Sequence, residues 1–503
     1  MLQLMHSFRG AEAPAEVLDA VTRGVIGSFC LFSGLNVESP AQVRRLNESL
    51  LKAAADGGHL PPMLGIDQEG GQLIAIRGGT TELPGNMALG ATRDESLAEQ
   101  AGRVLARELR AMGFNMIFAP SVDVNINPRN PVIGTRSFGE DPVWVARLGT
   151  AMIRGLQGEG MIATAKHFPG HGDTAVDSHH EVPIVPHDME RMNAVELYPF
   201  KAAIKAGVGA VMTAHVLFSV LDSTTPATVS PAILTGLLRN ELGFGGLIVT
   251  DAMDMQAVAR LGTERSIRLA IEAGADLILL AHVADQLEIA RRVSDATRPE
   301  AAARIETARK ALTWELPPMS IIGCRDHQEI AETIARRAIT VVKGGNLLPM
   351  TLAARDEIAV ITVRPQNLTP ADTSSEVTIG LDAAIRERHN ATTGYELDYG
   401  ATDGMLRDVL EATRDAKIVI AGTINASDDP AQAALVNALL ARGQRTIVVA
   451  LRTPYDLAVF PEVDAYLCAY SIRRVSIEAT AGVLFGEFEA TGILPCTVPS
   501  VLA

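Results

Sequence analysis

A histidine-rich stretch at residues 165–183, AKHFPGHGDTAVDSHHEVP, holds the densest group of side chains that could carry chemistry. It contains four of the 11 histidines of the chain and three acidic residues around a glycine-rich turn. Such residues could bind a metal ion, and a glycine-rich turn could bind phosphate. A histidine beside a carboxylate could instead exchange protons near neutral pH. The spacing of the residues distinguishes these three kinds of site.

The spacing disfavours the metal and phosphate sites. Two histidines four residues apart, as His167 and His171 are, bind zinc when both lie on one helix face. A proline and two glycines follow His167 closely and place this pair on a loop, and the pattern His-Glu-x-x-His is absent. A phosphate-binding loop has its lysine after the glycines, whereas Lys166 precedes them. We therefore predict no metal ion and no cofactor.

The spacing favours an acid–base device. Asp177 precedes His179 by two residues, so both side chains point the same way on an extended loop. A carboxylate beside an imidazole fixes its tautomer and stabilises its charged form. The neighbouring His180 competes with His179 for this role.

A second acid, Asp251, directly follows the apolar run at residues 247–250. It could be the nucleophile of a two-step displacement, or only the cap of a helix. Asp254 is predicted to lie on that following helix, where the helix dipole favours an acidic residue.

Seven apolar runs alternate with helical patterns in the first part of the chain. They are GVIGSFCLF, PPMLGID, NMIFAPSVD, MIATAKHF, GVGAVMTAH, GGLIVTDAM and ADLILLAH. Such alternation gives a parallel sheet, and in a closed barrel the carboxyl ends of the strands converge on one face. Polar residues recur where the runs end, at Asp67, Asp123, His167, His215, Asp251 and His282. We predict a (β/α)8 barrel over residues 1–316, with the eighth strand not placed.

The strand pattern restarts after residues 317–330, which we predict to be a linker. The later runs are ITVVK, EIAVITV, KIVIAGT, TIVVAL and DAYLCAY, with helical segments such as PAQAALVNALLARG between several of them. This pattern is typical of an open, doubly wound αβα sandwich, which we assign to residues 331–503. It carries no G-x-G-x-x-G at the start of a helix, so a dinucleotide site is not expected.

The composition restricts the partners. A net charge of −15 makes nucleic acids and anionic membranes poor partners. The chain has no apolar run of roughly 18 residues and no signal-peptide pattern, so we expect a cytoplasmic protein. Its four cysteines are far apart in the sequence, which favours reduced thiols over a disulfide framework. Aromatic residues make up only 4%, which favours a small, polar ligand. The sequence leaves a monomer and a homodimer both open.

Several motifs together resemble glycoside hydrolase family 3, in its β-N-acetylglucosaminidase branch. They are GIDQEGG, LPGNMALGAT, FAPSVDVNINPRNPVIGTRSFGEDP, KHFPGHGDTAVDSHHEVP, VMTAHV and GLIVTDAMDM, followed in the second half by AITVVKGGNLLPM, RTPYDLAVFPEVDAYLCAYS and GVLFGEFEATGILPCTVPS. The resemblance covers nearly the whole chain. It implies a retaining glycosidase that removes terminal β-linked N-acetylglucosamine from peptidoglycan fragments or chitooligosaccharides.

The resemblance also implies roles for individual residues. Asp251 matches the nucleophile of the family, and His179 paired with Asp177 matches its acid/base, in place of the second carboxylate of most glycosidases. The sugar-binding positions match Asp67, Arg136, Lys166 and His167.

One stretch departs from the family. Where the family has GGRVxR, this chain has GGQLIAIRGG, so Arg77 either replaces the second arginine with a one-residue shift or the contact is lost. A phosphorylase of the same fold stays open as an alternative, because a neutral histidine base repels an incoming phosphate less than a carboxylate does. A catalytically silent sugar-binding module is a third hypothesis, which the presence of Asp251, Asp177 and His179 disfavours.

Overall fold

The computed structural model describes residues 2–177 and 182–499. The strands of its first half are β1 Leu4–Met5, β2 Ser28–Leu31, β3 Met63–Ile66, β4 Gln68–Gly70, β5 Leu73–Ile74, β6 Met116–Ile117, β7 Ile162–Phe168, β8 Ile184–Val185, β9 Ala210–Thr213, β10 Leu217–Phe218, β11 Leu247–Val249 and β12 Ile278–Leu279. Strands β4 and β5 form an antiparallel hairpin, and β8 pairs with β10.

Eight of the described strands close into a parallel barrel. Strands β2, β3, β6, β7, β9 and β11 are neighbours in that order, and β1 pairs with β12. Bridges from His6 to Phe29 and from Val249 to Leu277 join this pair to β2 and to β11. The predicted barrel is therefore confirmed. The strand that the sequence did not place is β1, whose two apolar residues stand between the polar Gln3 and His6 and so belong to no longer apolar run.

Helices follow the barrel strands. They are α1 Ala15–Thr22, α2 Pro40–Asp56, α3 Asn86–Thr92, α4 Glu95–Ala111, α5 Pro142–Gly158, α6 Met189–Ala194, α7 Leu197–Lys205, a π-helix Ala232–Glu241, α8 Gln256–Ala259, α9 Thr263–Ala273, α10 Gln286–Arg292 and α11 Pro299–Lys310.

Helices α4 and α5 approach each other closely. A Cβ atom added to Gly102 would lie 2.4 Å from the carbonyl oxygen of Met152, and one added to Gly155 would lie 2.1 Å from that of Glu99. Only glycine fits at these two crossing points, because real Cβ atoms do not approach backbone so closely.

The second half is a sandwich of helices around one mixed sheet. Helix α12, Arg325–Ala338, begins inside the segment 317–330 and leads into this sandwich. The remaining elements are β13 Thr340–Lys343, β14 Ile358–Val363, α13 Leu381–Arg386, β15 Thr392–Leu397, α14 Asp403–Ala412, β16 Ile418–Thr423, α15 Pro430–Ala441, β17 Thr446–Ala450, β18 Ala465–Cys468 and α16 Arg474–Phe485.

The order of its strands is β13-β18-β17-β16-β14-β15, and β13 is antiparallel to β18. Alternate residues of β14 enter different apolar clusters, since Val360 belongs to one and Ala359 to another. Both faces of the sheet are therefore covered, which confirms the predicted αβα sandwich. In the described part of the chain, no helix has the length and apolarity needed to cross a lipid bilayer.

Candidate active site

A pocket of about 580 Å³ lies at the carboxyl ends of the barrel strands, a volume suited to a small molecule. Among its lining are five residues that the sequence predicted: Asp67, Arg136, Lys166, His167 and Asp251. Asp67 follows β3, Lys166 and His167 end β7, and Asp251 follows β11, so convergence of the strand ends brings these side chains together. Arg136 enters from a 3₁₀ turn, Gly134–Arg136.

Four charged side chains at the floor of this pocket form one network. The Lys166 ammonium lies 2.6 Å from Asp67 Oδ1 and 2.7 Å from Glu69 Oε1. The guanidinium of Arg136 donates two hydrogen bonds to Glu69, at 2.8 and 3.0 Å. Two cations balance two carboxylates, so the buried network carries no net charge. Asp67 is the most exposed member, with 27% of its side chain accessible, and presents a carboxylate to the pocket.

The surroundings keep the buried members of the network charged. Burial alone would raise the pKa of Glu69, but Arg136 and Lys166 outweigh it and lower the pKa to about 2. Burial opposes the charged form of Lys166 too, yet Asp67 and Glu69 raise its pKa. A charged Lys166 has three N–H donors, and its two contacts with carboxylates leave a donor for a hydroxyl of a ligand.

A second network orients His167. Its Nδ1 lies 2.7 Å from Asp123 Oδ2, and its Nε2 lies 3.3 Å from a guanidinium nitrogen of Arg136. A guanidinium nitrogen only donates, so this network assigns the proton to Nδ1 and an acceptor to Nε2. Asp123 also accepts the backbone N–H of His171 at 2.7 Å. Burial would raise the pKa of Asp123, but His167 and His171 outweigh it and lower the pKa.

Asp251 lines the pocket, and its Oδ1 accepts the backbone N–H of Ala252 at 2.8 Å. His215, another of the predicted strand-end residues, is fully buried and donates from Nε2 to the carbonyl of Ala252 at 2.9 Å. His215 therefore supports the turn that carries Asp251.

The spacing predicted that Asp254 lies on the helix that follows Asp251, and this prediction is wrong. Asp254 lies in the turn before α8, where its carboxylate accepts the backbone N–H of His282 at 3.3 Å and lies 3.0 Å from the imidazole Nδ1.

The predicted acid/base pair is only partly described. Asp177 is buried, with 8% of its surface exposed. His179 and the competing His180 lie outside the described residues. The roles of Asp177 and His179 therefore stay predictions from the sequence.

The second half of the chain supplies one wall of the pocket. We call residues 367–376 the wall segment; its pocket-lining members are Asn367, Pro370, Ala371, Asp372, Thr373 and Glu376. Thr373 binds the β4–β5 hairpin, where its backbone N–H donates to Gln72 O at 2.9 Å and its hydroxyl accepts from Ile74 N at 3.1 Å. Behind the wall, Arg452 pairs with Asp372 at 2.6 Å. The pocket is complete only with both halves of the chain.

Arg77 belongs to the anchorage of this wall. It donates to the Thr373 carbonyl at 3.1 Å and forms an ion pair with Glu376. It is not among the described residues that line the pocket. Arg77, at the position shifted by one residue, therefore holds the wall segment in place.

Sequence reasoning missed Glu69 as a member of the site, and it did not assign the partner of His167 to Asp123. Glu69 stands two residues after Asp67 in the quoted motif GIDQEGG, and that proximity was the available signal. For the wall segment the sequence held no such signal, because it lies between elements and has no periodic pattern.

Comparison with known proteins gives a consistent picture. The model of the glycosyl hydrolase family 3 N-terminal domain matches residues 2–311, and that of the family 3 C-terminal domain matches residues 339–503. The beta-hexosaminidase A of Pseudoalteromonas piscicida is 31% identical, over 96% of this chain and 91% of the relative.

Two solved structures extend this picture. A glycoside hydrolase family 3 beta-N-acetylglucosaminidase from Paenibacillus sp. str. FPU-7 superposes with a TM-score of 0.91 at 35% identity, covering 100% of this chain and 98% of the other. A beta-glucoside phosphorylase superposes with a TM-score of 0.82 at 21% identity, covering 99% of this chain and 93% of the other. At that identity the second likeness shows the shared fold alone.

Proposed function

The chain belongs to glycosyl hydrolase family 3, and from this premise we propose that it cleaves terminal β-linked N-acetylglucosamine from small glycosides by a retaining mechanism. The observation that carries the proposal is the charge-balanced network of Asp67, Glu69, Arg136 and Lys166, of which Asp67, Arg136 and Lys166 line the same pocket as Asp251. Donors and acceptors fixed beside a carboxylate suit a sugar ring whose hydroxyls need both.

The binding groups have complementary roles. The partly exposed Asp67 accepts hydrogen bonds from sugar hydroxyls, and Lys166 donates its remaining N–H. His167, oriented by Asp123, lines the same pocket. Because Glu69 and Arg136 are locked together, these groups are preorganised and lose little entropy on binding.

The chemistry proceeds in two steps. Asp251 attacks the anomeric carbon and forms a glycosyl ester while His179, held by Asp177, protonates the leaving oxygen. His179 then removes a proton from water, which attacks the anomeric carbon and releases the sugar with its original configuration. The assignment of His179 rests on the sequence motif.

The volume of the pocket, about 580 Å³, supports a small substrate. We propose peptidoglycan-derived fragments or chitooligosaccharides with an N-acetylglucosamine at the non-reducing end. Cleavage of the former is a step of peptidoglycan recycling. Product analysis on N-acetylglucosaminyl-anhydromuramic acid and on chitobiose distinguishes these two substrates.

The mechanism is tested by replacing Asp251 with Asn and by trapping the intermediate. We expect kcat to fall by at least about 10³-fold, because a nucleophile is lost. With an activated aryl N-acetylglucosaminide, His179→Ala should keep the first step and accumulate sugar on the peptide that contains Asp251, visible by mass spectrometry after an acid quench. If His180→Ala accumulates the ester and His179→Ala does not, the acid/base assignment is wrong.

Phosphate separates hydrolysis from phosphorolysis. Release of free N-acetylglucosamine at an unchanged rate with and without inorganic phosphate supports the hydrolase. Formation of a sugar 1-phosphate would overturn it in favour of a phosphorylase. Tight sugar binding without turnover would instead indicate a binding module.

A further inference from the structure

We infer that Asp173, His187 and Glu196 form a binding site for a divalent transition-metal ion beside the sugar pocket. Their ligand atoms all lie within 4.8 Å of one another. The three residues come from different elements, since Asp173 lies in the turn after β7, His187 follows β8, and Glu196 immediately precedes α7. None of them is among the described residues that line the pocket.

The strongest indication of a bound cation is the carboxylate of Glu196. Only 3% of its side chain is exposed, and its Oε2 has no hydrogen-bond partner. The chain at Gly170 covers it, because a Cβ atom added there would lie 2.9 Å from the Cβ of Glu196. A buried carboxylate oxygen without a partner costs free energy, and a cation at this point would remove that cost.

The set of donors fits a transition metal better than magnesium. One imidazole nitrogen and two carboxylates are ligands that Zn²⁺ accepts, with bonds of about 2.0–2.2 Å and a water molecule in the fourth position. Magnesium prefers oxygen alone and retains its waters. His187 Nε2 now lies 2.7 Å from Asp173 Oδ2, so small side-chain rotations that open this contact admit the ion.

A neighbouring arginine competes with the ion. Arg191 lies 3.4 Å from Glu196 Oε1 and 4.0 Å from Asp173 Oδ2. Its side chain is 37% exposed, so water is a ready alternative partner for it. One loosely held cation beside two carboxylates leaves a negative charge, and a divalent ion would displace the guanidinium.

The proposed metal site lies next in sequence to the segment that carries the predicted acid/base residue Asp177. Asp173 and His187 lie on either side of the segment that contains Asp177, so an ion between them would tie the two ends of that segment together. Binding of the ion does not depend on the proposed function, which makes the two separately testable.

The experiment titrates the full-length, chelator-treated protein with Zn²⁺ by isothermal calorimetry and follows its Tm. We expect one tight equivalent and a Tm that rises with the Zn²⁺ concentration, because the ion binds the folded state. Mn²⁺ should bind more weakly than Zn²⁺. Asp173→Asn, His187→Ala and Glu196→Gln should each weaken Zn²⁺ binding by at least the 10- to 100-fold typical of losing a residue that supports a ligand.

Two further variants make the test specific. Arg191→Gln should bind Zn²⁺ more tightly than the wild type, since it removes the competing cation. His59→Ala, a change at a partly exposed histidine outside the cluster, should bind like the wild type. Absence of a tight equivalent in the wild type, or equal affinity in the wild type and in Asp173→Asn, which removes a half-buried ligand, would overturn the proposal.

Discussion

At the scale of single residues, the site depends on charges that are buried in balanced groups. Lys166 and Arg136 are each compensated by Glu69, whose side chain is only 2% exposed. Loss of one partner leaves the other charge buried and uncompensated, which costs far more free energy than the pair contributes when intact. The binding surface and the stability of the barrel mouth are therefore coupled through Glu69.

Glu69→Gln should lower the free energy of unfolding by about 3–5 kcal/mol, because it leaves two buried cations with one fewer carboxylate. Urea denaturation at pH 7 measures this change. The contribution of Glu69 is complete above its ordinary pKa of 4.5 and is lost as the pH falls towards its folded value of about 2, so the variant and wild type should converge in that window. Glu329→Gln, at an exposed helix pair, serves as control and should change little. An equal loss in both variants would contradict the coupling.

Two buried histidines should make stability depend on pH. Burial lowers the pKa of His171, and that of His6, from 6.5 to about 4. Both are neutral when folded, so stability is complete above pH 6.5 and declines as the pH falls from 6.5 to 4, where the unfolded chain binds more protons. His171→Asn should reduce this decline by about 3 kcal/mol, and His6→Asn by a similar amount. Urea denaturation at several pH values measures it, and an unchanged decline in both variants would refute the prediction.

Site residues that stand in a local sequence pattern could be predicted, whereas contacts between residues far apart in sequence could not. Asp67, Lys166, His167 and Asp251 were found because they stand at the ends of apolar runs and within motifs. The pairing of Asp123 with His167 joins residues far apart in sequence, and no spacing rule specifies it. The same holds for Thr373 and the β4–β5 hairpin.

At the scale of elements, apolar runs predicted strands where burial is continuous. Strand β1 was missed because polar residues stand on both sides of its two apolar residues, and β15 because most of its residues face solvent at the sheet edge. The turn that holds Asp254 was mistaken for helix because its carboxylate binds His282 rather than a helix terminus. Short and exposed elements depend on tertiary contacts, which the sequence pattern does not display.

The crossing of α4 and α5 gives a sharp test of packing. Gly155→Ala should destabilise the protein by about 1–3 kcal/mol or more, because the new methyl group meets the Glu99 carbonyl and forces the helices apart. Gly158→Ala, at the end of the same helix, has no atom within 4 Å of its new methyl group and should be neutral or stabilising by up to about 1 kcal/mol. Thermal and urea unfolding compare the two, and similar destabilisation by both would contradict a specific role of the close packing at Gly155.

At the scale of the whole molecule, the two halves share the pocket. Arg473, just before α16, has a side chain only 1% exposed and donates to the carbonyl of Gly71 in the first half at 2.7 Å. It also lies 3.4 Å from Glu82. This arginine thus holds the second half against the hairpin that meets the wall segment.

Arg473→Met should lower the free energy of unfolding by about 1.5–3 kcal/mol, the contribution of a charge-assisted hydrogen bond, and should raise KM because the wall is less firmly held. Calorimetry and kinetics on a chromogenic N-acetylglucosaminide measure the two effects. Arg474→Met is a matched control, because Arg474 is next to Arg473 in the sequence but has an exposed side chain. If KM rises equally in both variants, the wall does not depend on Arg473.

The closure of the barrel by its first strand sets an order of events during translation. Among the barrel strands β1 is synthesised first, yet its second neighbour, β12, is synthesised only at residues 278–279. Until then one side of β1 has no partner strand, and both edges of the growing sheet are open to other chains. The wall segment and Arg473 are made later still. A nascent chain that ends before residue 367 therefore has a pocket with one side missing, and that side is held in place only after the wall segment and Arg473 have both been made.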